Sequence, residues 1–418
     1  MLLVSAKKLL RRILPSGLVQ WLQEKRDNVR FRKWRLVWRM REGLCPNEFF
    51  RDPYACNEIY WIDPRKIRYR TPNEFNYFRD HNSVIGGDWD VPLLRFDDED
   101  FYRAYELRVK EGATWSETKY YEKNLRDIES GIERWGCTTK DQWDERCKLL
   151  DDIYEDIKMS GYKPTKLEDY ISVNVGRDGD LLFNDGRHRL TFCKLNGVRR
   201  IPIRITARHA KWVAFKKQIF EYSNRAANRN GKVYAPLTHV DLQPVNSGYG
   251  DKRFELIKGN LSARSGGSVL DIGAHWGYFC HQFEDLGFYC TAVENNAENL
   301  YFLRKLRRAE SRSFEVFDKS IFSLDVEQKY YDVVLAIAVF HHFTKEEGTF
   351  NLLKEFLGRL HLGEMYFQPP DPKEVQMASA HRNFHPSEFV EFIIENSPLR
   401  NAREIGLAED GRKLFKLW

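Results

Sequence analysis

The chain has 418 residues, of which 42% are hydrophobic, 31% charged and 14% aromatic, with a formal net charge of +6. That length predicts two domains, and the aromatic share excludes a chain disordered throughout. A net charge this small does not by itself call for a nucleic-acid partner, and no apolar run reaches bilayer-spanning length. The seven cysteines form no C-x-x-C pair and follow no secretory leader, which predicts a reduced, cytoplasmic protein with no disulfide framework and no metal site.

Residues 1–42 hold twelve Lys and Arg against three acids, a net of +9. Leu2, Leu3, Leu9, Leu10, Ile13 and Leu14 recur at helical spacing among Lys7, Lys8, Arg11 and Arg12, and Pro15 ends the pattern. This predicts a basic amphipathic helical arm, with three readings open. It packs its stripe on the next domain, it lies on an anionic membrane at the inner face, or, less favoured, it contacts nucleic acid.

A second region, 43–228, reads as an α+β domain. Residues 59–69 form a strand running into a turn, and 86–90 form a loop carrying Asp88 and Asp90. From about 97 to 160 an acidic helical insertion is expected, its acids on a solvated face. Over 97–180, 22 acids against 14 Lys and Arg argue against a broad phosphate-facing surface. Strands follow at 171–175, 181–183 and 201–205.

Between the last two strands, Asn184, Asp185, Gly186, Arg187, His188 and Arg189 open a helix that reaches Leu195. Amides at a helix start beside two arginines and a histidine make a phosphate cradle. The alternative is a surface salt-bridge cluster. The turn resembles the ParB-like and sulfiredoxin-like nucleotide-binding fold over roughly 59–210. That resemblance implies phosphate contacts from Gly186, Arg187, His188 and Arg189, with Asp185 near a metal or a reacting hydroxyl. The implied ligand is ATP or another nucleotide with magnesium, and the domain could be kinase-like. Members of this fold differ in activity, and no cysteine sits in the turn, which argues against sulfiredoxin chemistry.

Residues 229–250, with Asn230, Gly231, Pro236, Pro244, Gly248 and Gly250, read as the linker to a domain over 251–418. There, 268–271 is an apolar strand ending in Asp271, followed by a loop with Gly273, Ala274 and Gly277 and then a helix. A second strand, 290–294, ends in Glu294, about twenty residues past the first glycine, where an acid suits ribose hydroxyls. Strands follow at 314–318, 331–340 and 363–368, the middle one a continuous apolar run expected at a sheet centre. A helix at 385–395 and a hairpin, 403–407 with 413–418, close the chain.

This order of elements resembles the class I S-adenosylmethionine-dependent methyltransferases over essentially all of 246–418. The whole is then an α/β chain with a Rossmann-like seven-stranded methyltransferase sheet at its C-terminal end. The resemblance implies that Asp271, Gly273, Ala274 and Gly277 line the methionine end of S-adenosyl-L-methionine. It further implies that Glu294 holds the ribose and Asp318 faces the adenine. His275 and Trp276 depart from the small residues usual in that loop. His341 or His342 is the expected base for an oxygen nucleophile on a small-molecule or glycan acceptor. Two further readings are a nucleic-acid methyltransferase and a non-catalytic sensor of the cofactor.

Overall fold

The computed structural model describes residues 52–54, 59–72, 82–166, 169–225 and 230–418. The basic arm expected over 1–42 lies outside the described residues. No described helix is long and apolar enough to cross a membrane. Two compact units divide the chain, Met1–Lys217 and Gln218–Trp418.

In the first unit, strands β1 (Tyr60–Ile62), β2 (Tyr69–Arg70), β3 (Ser83–Ile85), β4 (Leu94–Arg95), β5 (Ile171–Val175), β6 (Leu181–Asp185) and β7 (Ile201–His209) form a mixed sheet. On one edge β7 pairs antiparallel with β1 and, nearer its end, parallel with β3; on the other it pairs parallel with β5. The expected acidic insertion folds as three helices, α1 (Asp100–Glu111), α2 (Lys119–Glu129) and α3 (Lys140–Ser160). Thr118 and Thr139 cap α2 and α3, their hydroxyls accepting from the amides of Tyr121 and Gln142. Along α3, Trp143, Cys147, Leu150, Tyr154 and Ile157 recur every three or four residues and are buried, while Asp141, Glu145, Asp152 and Asp156 are exposed. Helices α4 (Arg187–Leu195) and α5 (Ala210–Asn224) complete the unit, and the division between units falls within α5.

The stretch expected as a linker belongs instead to the second unit. Val240–Leu242 is a short 3-10 helix, and Leu237, Val240, Leu242 and Val245 are buried. Its glycines and prolines mark turns, while the apolar residues between them bury enough surface to fix the segment against the fold.

The second unit runs α6 (Lys252–Lys258), β8 (Ser268–Ile272), α7 (Tyr278–Asp285), β9 (Tyr289–Val293), α8 (Ala297–Ala309), β10 (Glu315–Phe317), β11 (Tyr330–Ile337), α9 (Glu347–Arg359), β12 (His361–Gln368), α10 (Pro386–Glu395), β13 (Ala402–Leu407) and β14 (Lys413–Leu417). The sheet order is β10-β9-β8-β11-β12-β14-β13. The first five strands are parallel, and the terminal hairpin adds β14 antiparallel to β12. Phe254, Ile257, Phe283 and Leu303 from α6, α7 and α8 pack in one core, and Leu353, Phe356, Phe389 and Ile393 from α9 and α10 in another. Covered on both faces, β11 is buried without interruption from Val333 to Ile337. It stops short of the expected residue 340 because Ala338 turns to φ +53°, and Phe340–His342 then forms a 3-10 turn. Strand order reverses beside β8, which opens a crevice at the carboxyl ends of β8 and β11.

Candidate active site

A cavity of about 570 Å³ occupies that crevice. Its floor is the loop after β8. Gly273 and Ala274 donate their amides to the Val293 carbonyl, both at 2.9 Å, tying the loop to β9. Gly273 takes φ +72°, and a Cβ there would lie 2.8 Å from Val339 Cγ2, so only glycine fits. Gly277, at φ +83°, starts α7 and turns its face to Phe314, so it shapes the loop from behind the cavity wall. Asp271, Gly273, Ala274, Glu294 and His342 all line the cavity.

Glu294 is fixed by backbone alone. Its Oε2 accepts from the His275 amide at 3.0 Å and its Oε1 from the Asn296 amide at 2.8 Å. Asp271 is buried, and burial together with the nearby Glu294 charge pushes its carboxyl up to about 7. The Cys280 thiol donates to its Oδ2 at 3.6 Å. No cation pairs with this carboxylate among the described residues.

The two histidines separate. His342 lines the cavity, and burial with the Lys345 charge holds its pKa below the usual value. His341 packs behind it with the rings tilted and their centroids 4.1 Å apart, and is buried; desolvation and neighbouring charges push it down to about 3. Asp318 does not reach the cavity. Its carboxylate pairs with Arg304 at 2.7 Å on the surface, and that hydrogen bond holds its pKa below the usual carboxylate value. The neighbouring Lys319, Ser320 and Ile321 line the cavity instead.

Several lining residues escape the sequence reading. Tyr234 to Thr238 form one wall from within the supposed linker. Trp276, which departs from the small residues usual in that loop, stacks on Phe302 of α8 with ring centroids 4.2 Å apart. His281, one turn into α7, is buried and also lines the cavity.

In the first unit, Asp185 to Arg189 gather at the start of α4. Gly186 takes φ +95°, and Asp185 Oδ1 accepts its amide at 2.8 Å. Arg187 pairs with Glu99 at 2.8 Å, and Arg70 takes the same carboxylate at 2.6 Å. Arg189 faces Asp169 at 3.7 Å. His188 packs on Phe101 and Trp135, and desolvation with the charges of Arg146, Arg187 and Arg189 pushes it down to about 3. Asp88 and Asp90, on the loop read at 86–90, both bind Arg177, at 2.7 Å each. Their arrangement is a loop clamp.

Residues 270–360 match a protein-family model described as a methyltransferase domain, so the second unit carries such a domain. No curated protein sequence matches the chain significantly. Among solved structures, monomeric WbdD is 19% identical, covering 44% of this chain and 46% of its own, with a TM-score of 0.37. A WbdD structure described as a bifunctional kinase-methyltransferase is 16% identical over 44% and 43%, with a TM-score of 0.34. The N-methyltransferase NodS from Bradyrhizobium japonicum WM9 is 12% identical over 40% and 93%, with a TM-score of 0.33. The chain therefore matches under half the length of WbdD.

Proposed function

We propose that the second unit is an S-adenosylmethionine-dependent methyltransferase acting on a hydroxyl of a small molecule or glycan precursor. The observation that carries this reading is Asp271, a buried carboxylate without a cation beside it, opening into a cavity floored by a glycine loop. The residues present suit the cofactor. Asp271 offsets positive charge, Glu294 accepts from ribose hydroxyls, and Gly273 leaves room for close backbone approach. The cofactor supplies an electrophilic methyl group on a sulfonium. The chain supplies alignment of the reactants and a proton acceptor, His342, in its neutral form at physiological pH.

The test is label transfer. The protein is incubated with methyl-labelled S-adenosylmethionine and host extract, which is then fractionated. Label in glycan or small-molecule fractions supports this reading. Label in nucleic acid reassigns the acceptor class, and cofactor binding without any label supports a sensor.

For the first unit we infer phosphate binding at the start of α4. Two buried nitrogens, Arg146 Nε on α3 and His188 Nε2 on α4, have no hydrogen-bond partner. Titration with ATP, CTP and GTP in the presence of magnesium tests it, and no binding of any of the three removes it.

A further inference from the structure

We propose that Lys345 and Arg382 form an anion cradle beside His342, and that the methyl acceptor carries a carboxylate or a phosphate monoester close to its reacting hydroxyl. The inference rests on the methyltransferase reading above and deepens it by naming the charge class of the acceptor.

The cradle is assembled by backbone. After β11 the chain turns through His342 and Phe343, which both line the cavity. Thr344 and Lys345 then meet the segment that precedes α10. The Arg382 amide donates to the Thr344 carbonyl and the His381 amide to the Lys345 carbonyl, both at 3.0 Å. His381 and Arg382 also pack on Phe350, in the first turn of α9, with the imidazole centroid 5.6 Å and the guanidinium carbon 6.0 Å from its ring. Phe350 stacks in turn on Phe392 of α10, ring centroids 5.0 Å apart. Two basic residues far apart in sequence are thereby fixed at one corner, next along the chain from the candidate base.

Neither charge is neutralised within the fold. Lys345 is half-buried and donates to the Gln376 amide oxygen at 3.1 Å, an uncharged partner. Gln376 is itself held, its Nε2 donating to Glu374 at 2.6 Å, and Glu374 is taken by Arg412 at 2.5 Å. The Lys345 ammonium is therefore positioned without being paired, and two of its donors remain. Arg382 is exposed and pairs with no carboxylate among the described residues. Its planar fork suits a carboxylate or phosphate taken through two parallel hydrogen bonds. The exposed acids Glu346 and Glu347 sit at the start of α9, where the helix dipole favours them, and neither pairs with Lys345 or Arg382. The arrangement also protects the base. Burial and the Lys345 charge hold the His342 pKa below its usual value. An anion bound alone would raise it and draw a proton onto the ring, whereas Lys345 offsets that charge and leaves His342 free to accept from the hydroxyl.

Host extract is digested with nuclease and passed over an anion exchanger. The retained and flow-through halves are each offered to the full chain with methyl-labelled S-adenosylmethionine. The cradle predicts label in the retained half. Phosphatase treatment of that half before the assay separates the two sources: lost label identifies a phosphate monoester, and persisting label a carboxylate. Lys345→Gln and Arg382→Gln should each lower label transfer at limiting acceptor at least about tenfold, with S-adenosylhomocysteine affinity held within twofold. Raising the acceptor concentration should recover the rate, as for a lost binding contact, and Lys345→Arg should keep most of it. Label confined to the flow-through, label abolished by the nuclease, or full transfer by both glutamine variants overturns the cradle and leaves methyl transfer standing. Loss of transfer only in step with a lowered melting temperature overturns it as well. If the wild-type chain labels nothing even in undigested extract, the methyltransferase reading fails and the cradle fails with it.

Discussion

The Glu294 carboxylate holds the glycine loop through the His275 amide, Oε2 to N at 3.0 Å, while its other oxygen holds Asn296. One side chain thus sets the loop and presents its remaining lone pairs to the cavity. Glu294→Gln keeps one acceptor oxygen and loses the charge. A hydrogen bond to a charged group contributes about 1.5–3 kcal/mol, so affinity for S-adenosylhomocysteine is expected to fall roughly 10- to 100-fold. Calorimetry checks this; unchanged affinity would dismiss the ribose assignment.

Gly273 is the second fixed point. Alanine there meets both a positive φ and Val339 Cγ2 at 2.8 Å. A non-glycine residue held in a disfavoured conformation costs about 1–3 kcal/mol, and the contact adds to it. Gly273→Ala should lower the melting temperature by several degrees and weaken cofactor binding. Adding Val339→Ala should recover part of the loss, because it removes the clash and leaves the backbone strain. No recovery in the double variant would mean that Val339 is not the obstacle.

Asp271 predicts a pH dependence. Its folded-state carboxyl titrates near 7, above its ordinary value of 3.8. Between those values the folded chain keeps a proton that the unfolded chain has lost, so this group's contribution to stability declines as pH rises through that window. Asp271→Asn removes the dependence and should raise the melting temperature of the ligand-free protein at pH 8. A cationic ligand reverses the preference, since it favours the ionised carboxylate. Binding of S-adenosylmethionine should tighten as pH rises through about 7 and release protons below it, read by calorimetry in buffers of different ionisation enthalpy. Equal affinity at pH 6 and 8 would remove Asp271 from the cationic contact.

What the sequence discloses is local. An apolar run, two glycines and an acid at a set spacing locate β8, its loop and Glu294, because each element carries its own signal within a few residues. Asp318 shows where this stops. It follows a strand of only three residues, and Arg304, one helix earlier, captures it at the surface. The pairing of His281 with Glu310 joins positions 29 apart and has no periodic trace. The wall at 234–238 was hidden by its own glycine and proline neighbours, whose turn signals outweighed the buried leucines. In the first unit the 184–190 turn is readable, whereas Glu99, which takes both Arg70 and Arg187, is brought there only by the packed fold.

The two adjacent histidines give the sharpest contrast. His342 faces the cavity and His341 lies behind it, so their alanine variants should fail differently. Losing a general base costs about 10²- to 10⁴-fold in turnover, and His342→Ala should do so with S-adenosylhomocysteine affinity intact. His341→Ala opens a void in the buried space behind His342 and should lower thermal stability first, with turnover per folded molecule little changed. The pH profile carries a further sign. Burial holds the His342 pKa below 6.5, so its neutral, proton-accepting form persists at pH values where an ordinary histidine is already charged. The half-maximal point of label transfer should therefore lie below pH 6.5, after allowance for weaker cofactor binding as Asp271 protonates. Saturating cofactor separates the two effects. A half-maximal point above pH 6.5 under saturation would assign the proton to a different group.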